Sequence, residues 1–570
     1  MTLAVVQMRA QVGQPRKNAE KMLKYIFDAK TAGAEAILFP ELALTGPVHD
    51  ELACCDNMLR DCRAAAEMIA DASEGIRIVF GTLEMAYGRV FSRLYMAKDH
   101  DLRPLFAAAA PPSWLGGPPP YPADVVPFDL IIDGEYRKVM PLLGDWYGQK
   151  LPADPMRADI TICFTPQPVF AGEGDIAPES CLPSIFLSQL GLFASGKSNY
   201  VFAGHSIYYA ADGEVLAATP YYEEGVYYWH WQGGDKTPEL SDDQRLTQGL
   251  IHGAGEFCRS INAQRAVIGI SGGIDSALAA CVYRQALGPE NVYLISMPSH
   301  FNSETTKSLA QGMAEGLGLP FATMPINDGC QQLYEEFAGS PFTDAAGKQL
   351  AVPLSGPVKE NIMARERCRI LAAAAAGLGG IFTCNGNKAE LSVGYATFYG
   401  DLAGAFAAQA DLWKYQVYQA AACFQQQFPD APLDKIAAIR PSAELSAAQD
   451  VNKGLGDPLT YDYHDYLLRY WVDNSADPAD NLRAYRDGFL ARQIGCNEDL
   501  VRHLFPDAAA FVADIERWWK QYRGIGVAKR LQAPPLLALS RHPFGEGKPQ
   551  CQGLLFFSDE FKELKAELLS

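Results

Sequence analysis

The chain has 570 residues, more than one ordinary hydrophobic core, so two large domains are expected. Its 67 acidic against 48 basic residues give a formal net charge of −19, which argues against a general nucleic-acid binder, although a nucleotide can still bind locally. No apolar run approaches the roughly 20 residues that span a bilayer, and the opening MTLAVVQMRAQVGQ lacks the pattern of a secretory signal, so a soluble cytoplasmic protein with no membrane contact is expected.

Short β-rich runs at 3–7, 36–39, 76–81, 129–132 and 206–210 alternate with turns and with a helical pattern at 17–32, which predicts a layered α/β domain. The aromatic run TPYYEEGVYYWHW at 219–231 reads as core before interface. From 227 to 250 the composition passes from aromatic strand to a polar Gly/Pro/Asp stretch and then to a helix, placing domains at 1–235 and 245–570. Thirteen cysteines, an odd number without CxxC spacing, fit reduced thiols.

Downstream, strands at 266–270, 292–296, 321–325 and 381–384 separated by helices predict a doubly wound parallel sheet with ligands at the strand C-termini. The alanines at 372–376 suggest close helix packing and no chemistry. The stretch VIGISGGIDSA at 267–277 runs strand, glycine turn, helix start, which aims backbone N–H groups and a positive dipole end at one point. Ser271, Ser276 and Asp275 border it, and a carboxylate beside an anion site makes sense when Mg2+ bridges it to phosphate. A Walker loop is excluded because no Gly-Lys-Ser/Thr follows, and any strand followed by Gly-Gly and a helix would look similar.

Further clusters follow. VKENIMARERCR puts Asn361 and Arg365 four apart on one helix face, as an exposed helix also could. CNGNKAELSVGYATFYGDLAG gathers Asn385, Asn387, Lys388, Glu390, Tyr399 and Asp401 among glycines, Glu390 offering hard oxygens and Lys388 positive charge. PSAEL at 441–445 and Lys529-Arg530 add polar points. The glycine turn resembles the SGGxDS loop of ATP pyrophosphatases, and the clusters in this order resemble nicotinamide adenine dinucleotide (NAD) synthetase over about 245–545. That resemblance implies ATP-dependent adenylation of the nicotinate carboxylate of deamido-NAD, followed by displacement of AMP by ammonia. It implies ATP at Gly269, Ser271, Gly272, Gly273, Asp275, Ser276, Met297 and Asn385, Mg2+ at Asp275 and Glu390, and deamido-NAD near Asn361, Arg365, Glu390, Asp401 and Lys529. Asp275, Glu390 and Lys388 are the expected catalytic groups, acting by positioning and charge neutralisation. The chain departs from TGNKSE with Asn385 and Ala389.

The N-terminal part, with FPELALTG around Glu41, is similar to nitrilase-type amidases, whose αββα sandwich in long NAD synthetases hydrolyses glutamine. Such a site needs Glu, Lys and Cys together. Here PLFAAAAPPSW (104–114) holds no lysine, Lys98 lies earlier, and LLGDWYG (142–148) puts Leu143 at the cysteine position and Gly144 at the acidic one. Cys163 ends an apolar run and reads as a buried small hydrophobe. The amidase site is therefore expected to be degenerate, with ammonia, free or from a partner protein, as nitrogen source. The resemblance also implies a homo-oligomer. The alternatives are a related AMP-forming amide ligase on another carboxylate and a non-catalytic nucleotide-binding scaffold.

Overall fold

The computed structural model describes residues 2–46, 55–86, 89–109, 127–143, 157–164, 168–171, 180–446, 456–545 and 556–570. They divide into two compact units, Met1–Phe193 with Tyr200–Asp242, and Ala194–Asn199 with Asp243–Ser570.

In the first unit, period-two alternation builds two six-stranded sheets. One runs Gly225–Trp229, Leu3–Gln7, Ala36–Leu38, Arg77–Ala86, Arg89–Lys98, Asp101–Ala109 in spatial order. The other runs Val215–Ala218, Ile207–Tyr209, Ser184–Phe186, Ile160–Cys163, Glu135–Leu142, Phe128–Ile132. Along Leu3–Gln7, Leu3 and Val5 point into the core shared by both sheets while Ala4 and Val6 pack against helices Pro15–Thr31 and Asp56–Asp71. Both helices lie on the outer face of the first sheet, so the described residues show the α, β and β layers of the αββα sandwich expected from the sequence. The helix expected at 17–32 starts two residues earlier, with Pro15 in its first turn, where a missing N–H costs nothing. The aromatic run is internal packing: Trp229 joins the inter-sheet core and Tyr228 the helix-side one.

The second unit carries a parallel four-stranded sheet in the order Phe321–Thr323, Val292–Ser296, Ala266–Gly269, Ile381–Phe382. The strand earliest in sequence thus lies inside the sheet, with later strands added on both sides. That reversal opens a crevice at the C-terminal ends of Ala266–Gly269 and Ile381–Phe382. C-terminal helices including Tyr461–Asn474, Pro478–Arg486 and Ala508–Arg523 share a separate apolar core around Trp471 and Trp519.

The alanine run packs on one side. Of residues 372–376 in the helix Gly356–Leu378, Ala375 is buried and Ala374 packs against the same core as Val267, while Ala373 and Ala376 are exposed. Small size serves packing on that side, and the exposed alanines supply helix propensity. Among the described residues no helix is long and apolar enough to cross a membrane.

Candidate active site

The strand Ala266–Gly269 ends where the helix Ile274–Leu287 begins, and residues 270–273 make the turn between them. Gly272 has φ +84°, and a Cβ there would sit 2.2 Å from the Thr306 carbonyl oxygen, so glycine is required on both counts. Ser276 Oγ donates to the Gly273 carbonyl at 2.9 Å and accepts from the Ser271 amide at 3.2 Å, which ties the turn to the first helical residues. Among the described residues no side chain caps this helix. Its N-terminal dipole end faces the crevice and suits an anion.

Two pockets adjoin here. One is lined by Gly269, Ser271, Met297, Asn385, Gly386 and Leu402 among others, the second by Gly272, Gly273, Lys414, Tyr418, Arg440 and Asp457. Asp275, Ser276, Asn302, Arg367, Glu390 and Asp401 border both. All eight side chains or backbone positions assigned to ATP from the sequence therefore lie on this pair of pockets.

Asp275 accepts from Asn387 Nδ2 at 3.1 Å and forms an ion pair with the buried Lys414 ammonium. Glu390 accepts the Asn387 amide at 3.1 Å and the Tyr461 hydroxyl at 3.3 Å. Burial, then the charge of Asp275, pushes Glu390 well above the usual carboxylate range. Burial works against the charge on Lys414, but Asp275 and Glu390 outweigh it and hold its pKa above the ordinary value. Among the described residues no group of three His, Cys, Asp or Glu side chains forms a metal site by itself. The donor set still fits Mg2+, which takes one or two carboxylates and leaves the remaining positions to phosphate and water.

Lys388 corrects the sequence reading. It is fully buried and turned away from both pockets, with Nζ 2.7 Å from Asp411 Oδ1 and donating to Ser540 Oγ at 2.7 Å. Lys414 and Arg367 stand on the pockets instead, with Lys307 on the first and Arg440 on the second, none of them singled out from the sequence. Arg367 Nε donates to the Met297 carbonyl at 3.1 Å and Nη2 to Asn302 Oδ1 at 3.1 Å. Glu444 of PSAEL accepts from Asn302 Nδ2 at 3.0 Å and Thr306 Oγ1 at 2.7 Å, which anchors that chain of contacts. The one signal in sequence was position: Arg367 stands two residues after Arg365 in the same cluster.

Asn361 and Arg365 share a helix face, and both meet the segment after Gly394. Thr397 Oγ1 donates to Asn361 Oδ1 at 2.7 Å, and Arg365 Nε donates to the Phe398 carbonyl at 3.0 Å. Lys529 donates to the Gly394 carbonyl at 2.8 Å and also reaches the Ala396 carbonyl. Asp401 Oδ1 accepts the Thr397 amide at 2.6 Å and opens on the first pocket. These four residues therefore shape one loop at the pocket rim, and only Asp401 lines the pocket itself. Asn385 accepts from Thr383 Oγ1 at 2.8 Å, and Gln409 Nε2 bonds the carbonyls of both Asn385 and Asp275, at 2.6 and 3.0 Å.

Residues 248–487 match the family model described as NAD synthase. This part of the chain belongs to the NAD synthase family. Over most of its length the chain is similar to a glutamine-dependent NAD(+) synthetase of Synechocystis sp., at 26% identity covering 85% of this chain and 90% of that one. A solved glutamine-dependent NAD(+) synthetase from Cytophaga hutchinsonii superposes with a TM-score of 0.73 at 14% identity, covering 100% of this chain and 99% of that one. A glutamine-dependent NAD+ synthetase from Acinetobacter baumannii, solved with ADP, superposes with a TM-score of 0.63 at 21% identity over 96% and 97% of the two chains. The chain thus has the long form, an NAD synthase domain following a nitrilase-like one.

In the nitrilase-like unit, Glu41 is 7% exposed and follows the strand Ala36–Leu38. A Cβ at Gly81 would lie 1.4 Å from the Glu41 carbonyl oxygen, so glycine lets the neighbouring strand close over it. Burial raises the Glu41 carboxyl from 4.5 to about 7. Leu143 is fully buried in the inter-sheet core with Val139, Ile160 and Phe164. Cys163 belongs to a different cluster with Met140 and Leu142, and complete burial pushes its thiol far up, so it carries no thiolate. Lys98 ends its strand near the surface, 3.6 Å from Asp99. Gly144 and the 110–114 part of PLFAAAAPPSW lie outside the described residues.

Proposed function

We propose that the second unit converts deamido-NAD to NAD with ATP, releasing AMP and pyrophosphate, and draws its nitrogen from ammonia. One observation carries this reading: the Ser271–Ser276 turn, two carboxylates, the buried Lys414 and the half-buried Arg367 converge on adjoining pockets at the switch point of a sheet in an NAD synthase domain.

In this reading the turn's N–H groups, Lys414 and Arg367 hold the triphosphate, and the Gly394–Asp401 loop holds the carboxylate to be activated. Asp275 and Glu390 would hold Mg2+, which supplies neutralisation of phosphate charge. A substrate carboxylate oxygen bonds the α-phosphorus as the bond from it to the bridging oxygen breaks, and pyrophosphate leaves with the electron pair. Ammonia nitrogen then bonds the acyl carbon, AMP departs with the electrons of the carbon–oxygen bond, and the amide nitrogen loses a proton to water. No side chain acts as nucleophile, so rate comes from positioning and charge.

The nitrogen source follows from the first unit. With Leu143 in the packed core and Cys163 inert, neither position expected from the sequence offers Glu41, among the described residues, the thiolate partner that amide hydrolysis requires. The Synechocystis relative is named glutamine-dependent, and an assay separates the two donors. With ATP, Mg2+ and deamido-NAD, ammonium as sole donor should yield NAD and glutamine should not. Efficient turnover on ammonium-free glutamine overturns the ammonia reading. Pyrophosphate release with an acid other than deamido-NAD, and none with deamido-NAD, would point to a related ligase.

A further inference from the structure

The side chain that connects the two carboxylates belongs to a residue without chemistry of its own. Asn387 is 0% exposed and caps the short helix Lys388–Val393. Its Oδ1 accepts the Glu390 amide at 3.1 Å, and its own amide donates to Glu390 Oε2 at 3.1 Å. This reciprocal pair is a capping box, which fixes the Glu390 rotamer through the backbone. The same side chain has a second, separate bond: Nδ2 donates to Asp275 Oδ1 at 3.1 Å. Asp275 comes from the first turn of another helix, 112 residues earlier in the chain. Asn387 thus hydrogen-bonds both carboxylates at once.

The geometry points to Asn387 as a positioning residue that sets the separation and orientation of Asp275 and Glu390 for a divalent cation. The inference rests on the proposed Mg2+ role of that pair. Two like charges held near each other repel, and each would turn toward solvent without a restraint. The Lys414 charge bears on both carboxylates, but its direct contact is with Asp275 Oδ2, leaving Oδ1 to Asn387. Oxygens that bind metal keep their orientation through such outer hydrogen bonds, and losing one typically costs 10- to 100-fold in metal affinity.

Capping and positioning can be separated chemically. Serine caps a helix nearly as well as asparagine but has no amide donor to reach Asp275. A pure cap therefore tolerates Asn387→Ser, and a positioning residue does not. The experiment titrates Mg2+ against the full-length protein with α,β-methylene-ATP, whose scissile linkage is blocked, and reads thermal stabilisation; the same titration is repeated on NAD formation. Asn387→Thr, which also keeps a capping oxygen, provides a second variant, and Asp275→Asn calibrates the site.

The expected result is an unliganded melting temperature near that of the native chain for Asn387→Ser, with the half-saturating Mg2+ concentration raised about 10-fold or more in both readouts. If Asp275→Asn loses the Mg2+ response while Asn387→Ser and Asn387→Thr titrate like the native chain, Asn387 is a cap and the inference falls alone. If Asp275→Asn itself titrates like the native chain, the Mg2+ reading of the pair falls and takes the inference with it.

Discussion

Lys414 and Asp275 form an ion pair on the pocket wall, the lysine side chain 2% exposed and the carboxylate 20% exposed. The pair joins the N-terminal end of the helix Lys414–Gln427 to the turn that would cradle phosphate. Lys414→Met leaves Asp275 and Glu390 without their counter-charge and removes a donor from the second pocket. Pyrophosphate release should drop by about 100-fold or more, as for loss of a pre-organised donor to developing charge. Steady-state kinetics with ATP varied checks this, and an unchanged rate would remove Lys414 from the phosphate site.

Lys388 should behave differently. Its partner Asp411 is equally buried, so Lys388→Met strands a carboxylate in the interior and should destabilise the fold by about 3–5 kcal/mol. The double variant Lys388→Met with Asp411→Leu should recover part of that loss, because it removes both charges. Urea denaturation of the native chain and the two variants measures it. A Lys388→Met protein with native stability and no activity would return Lys388 to the chemistry.

Arg365 and Arg367, on one helix, should separate by substrate. Arg365 holds the rim loop through the Phe398 carbonyl, and Arg367 lies on both pockets. Arg365→Met should raise KM for deamido-NAD about 10-fold with KM for ATP unchanged, the pattern of lost binding without lost chemistry. Arg367→Met should lower the rate at saturating ATP. Equal effects of both variants on both substrates would contradict this division.

Glu41 gives a pH-dependent test of the first unit. Its folded pKa, about 7, exceeds its ordinary 4.5, so between those values the folded state binds more protons than the unfolded one. Stability from this group therefore falls as pH rises from 4.5 and levels off above 7, by about 3 kcal/mol at most. Glu41→Gln should unfold at higher denaturant than the native chain at pH 8, with the difference vanishing below pH 4.5. Ammonium-dependent NAD formation should not change. A loss of glutamine-supported turnover in this variant would revive the amidase.

The glycine turn was legible because its information is local. Strand, Gly272, hydroxyls and Asp275 follow within a few residues, and the backbone conformation demands that order. The choice of lysine was not legible. Asn387 and Lys388 are adjacent, so their side chains leave the backbone about 100° apart, and only tertiary packing decides which faces the pocket. Lys388 found Asp411, and the cation that pairs with Asp275 is Lys414, 139 residues further on. Arg367 was hidden for a related reason, since periodicity marked the face of Asn361 and Arg365 while the pocket lay on the next. In the first unit, the strand Glu135–Leu142 ends in a continuous apolar run, so packing alone decides that Leu143 faces the inter-sheet core and that Cys163 joins the opposite cluster with Met140 and Leu142.

The two pockets share one wall, and Asp275, Arg367, Glu390 and Asp401 stand on it. In the proposed reaction a ligand on one side then alters the field felt on the other. AMP and pyrophosphate should each change the affinity of the other by the same factor, as linkage requires. Clearance of pyrophosphate then becomes a lever on how fast the site can turn over.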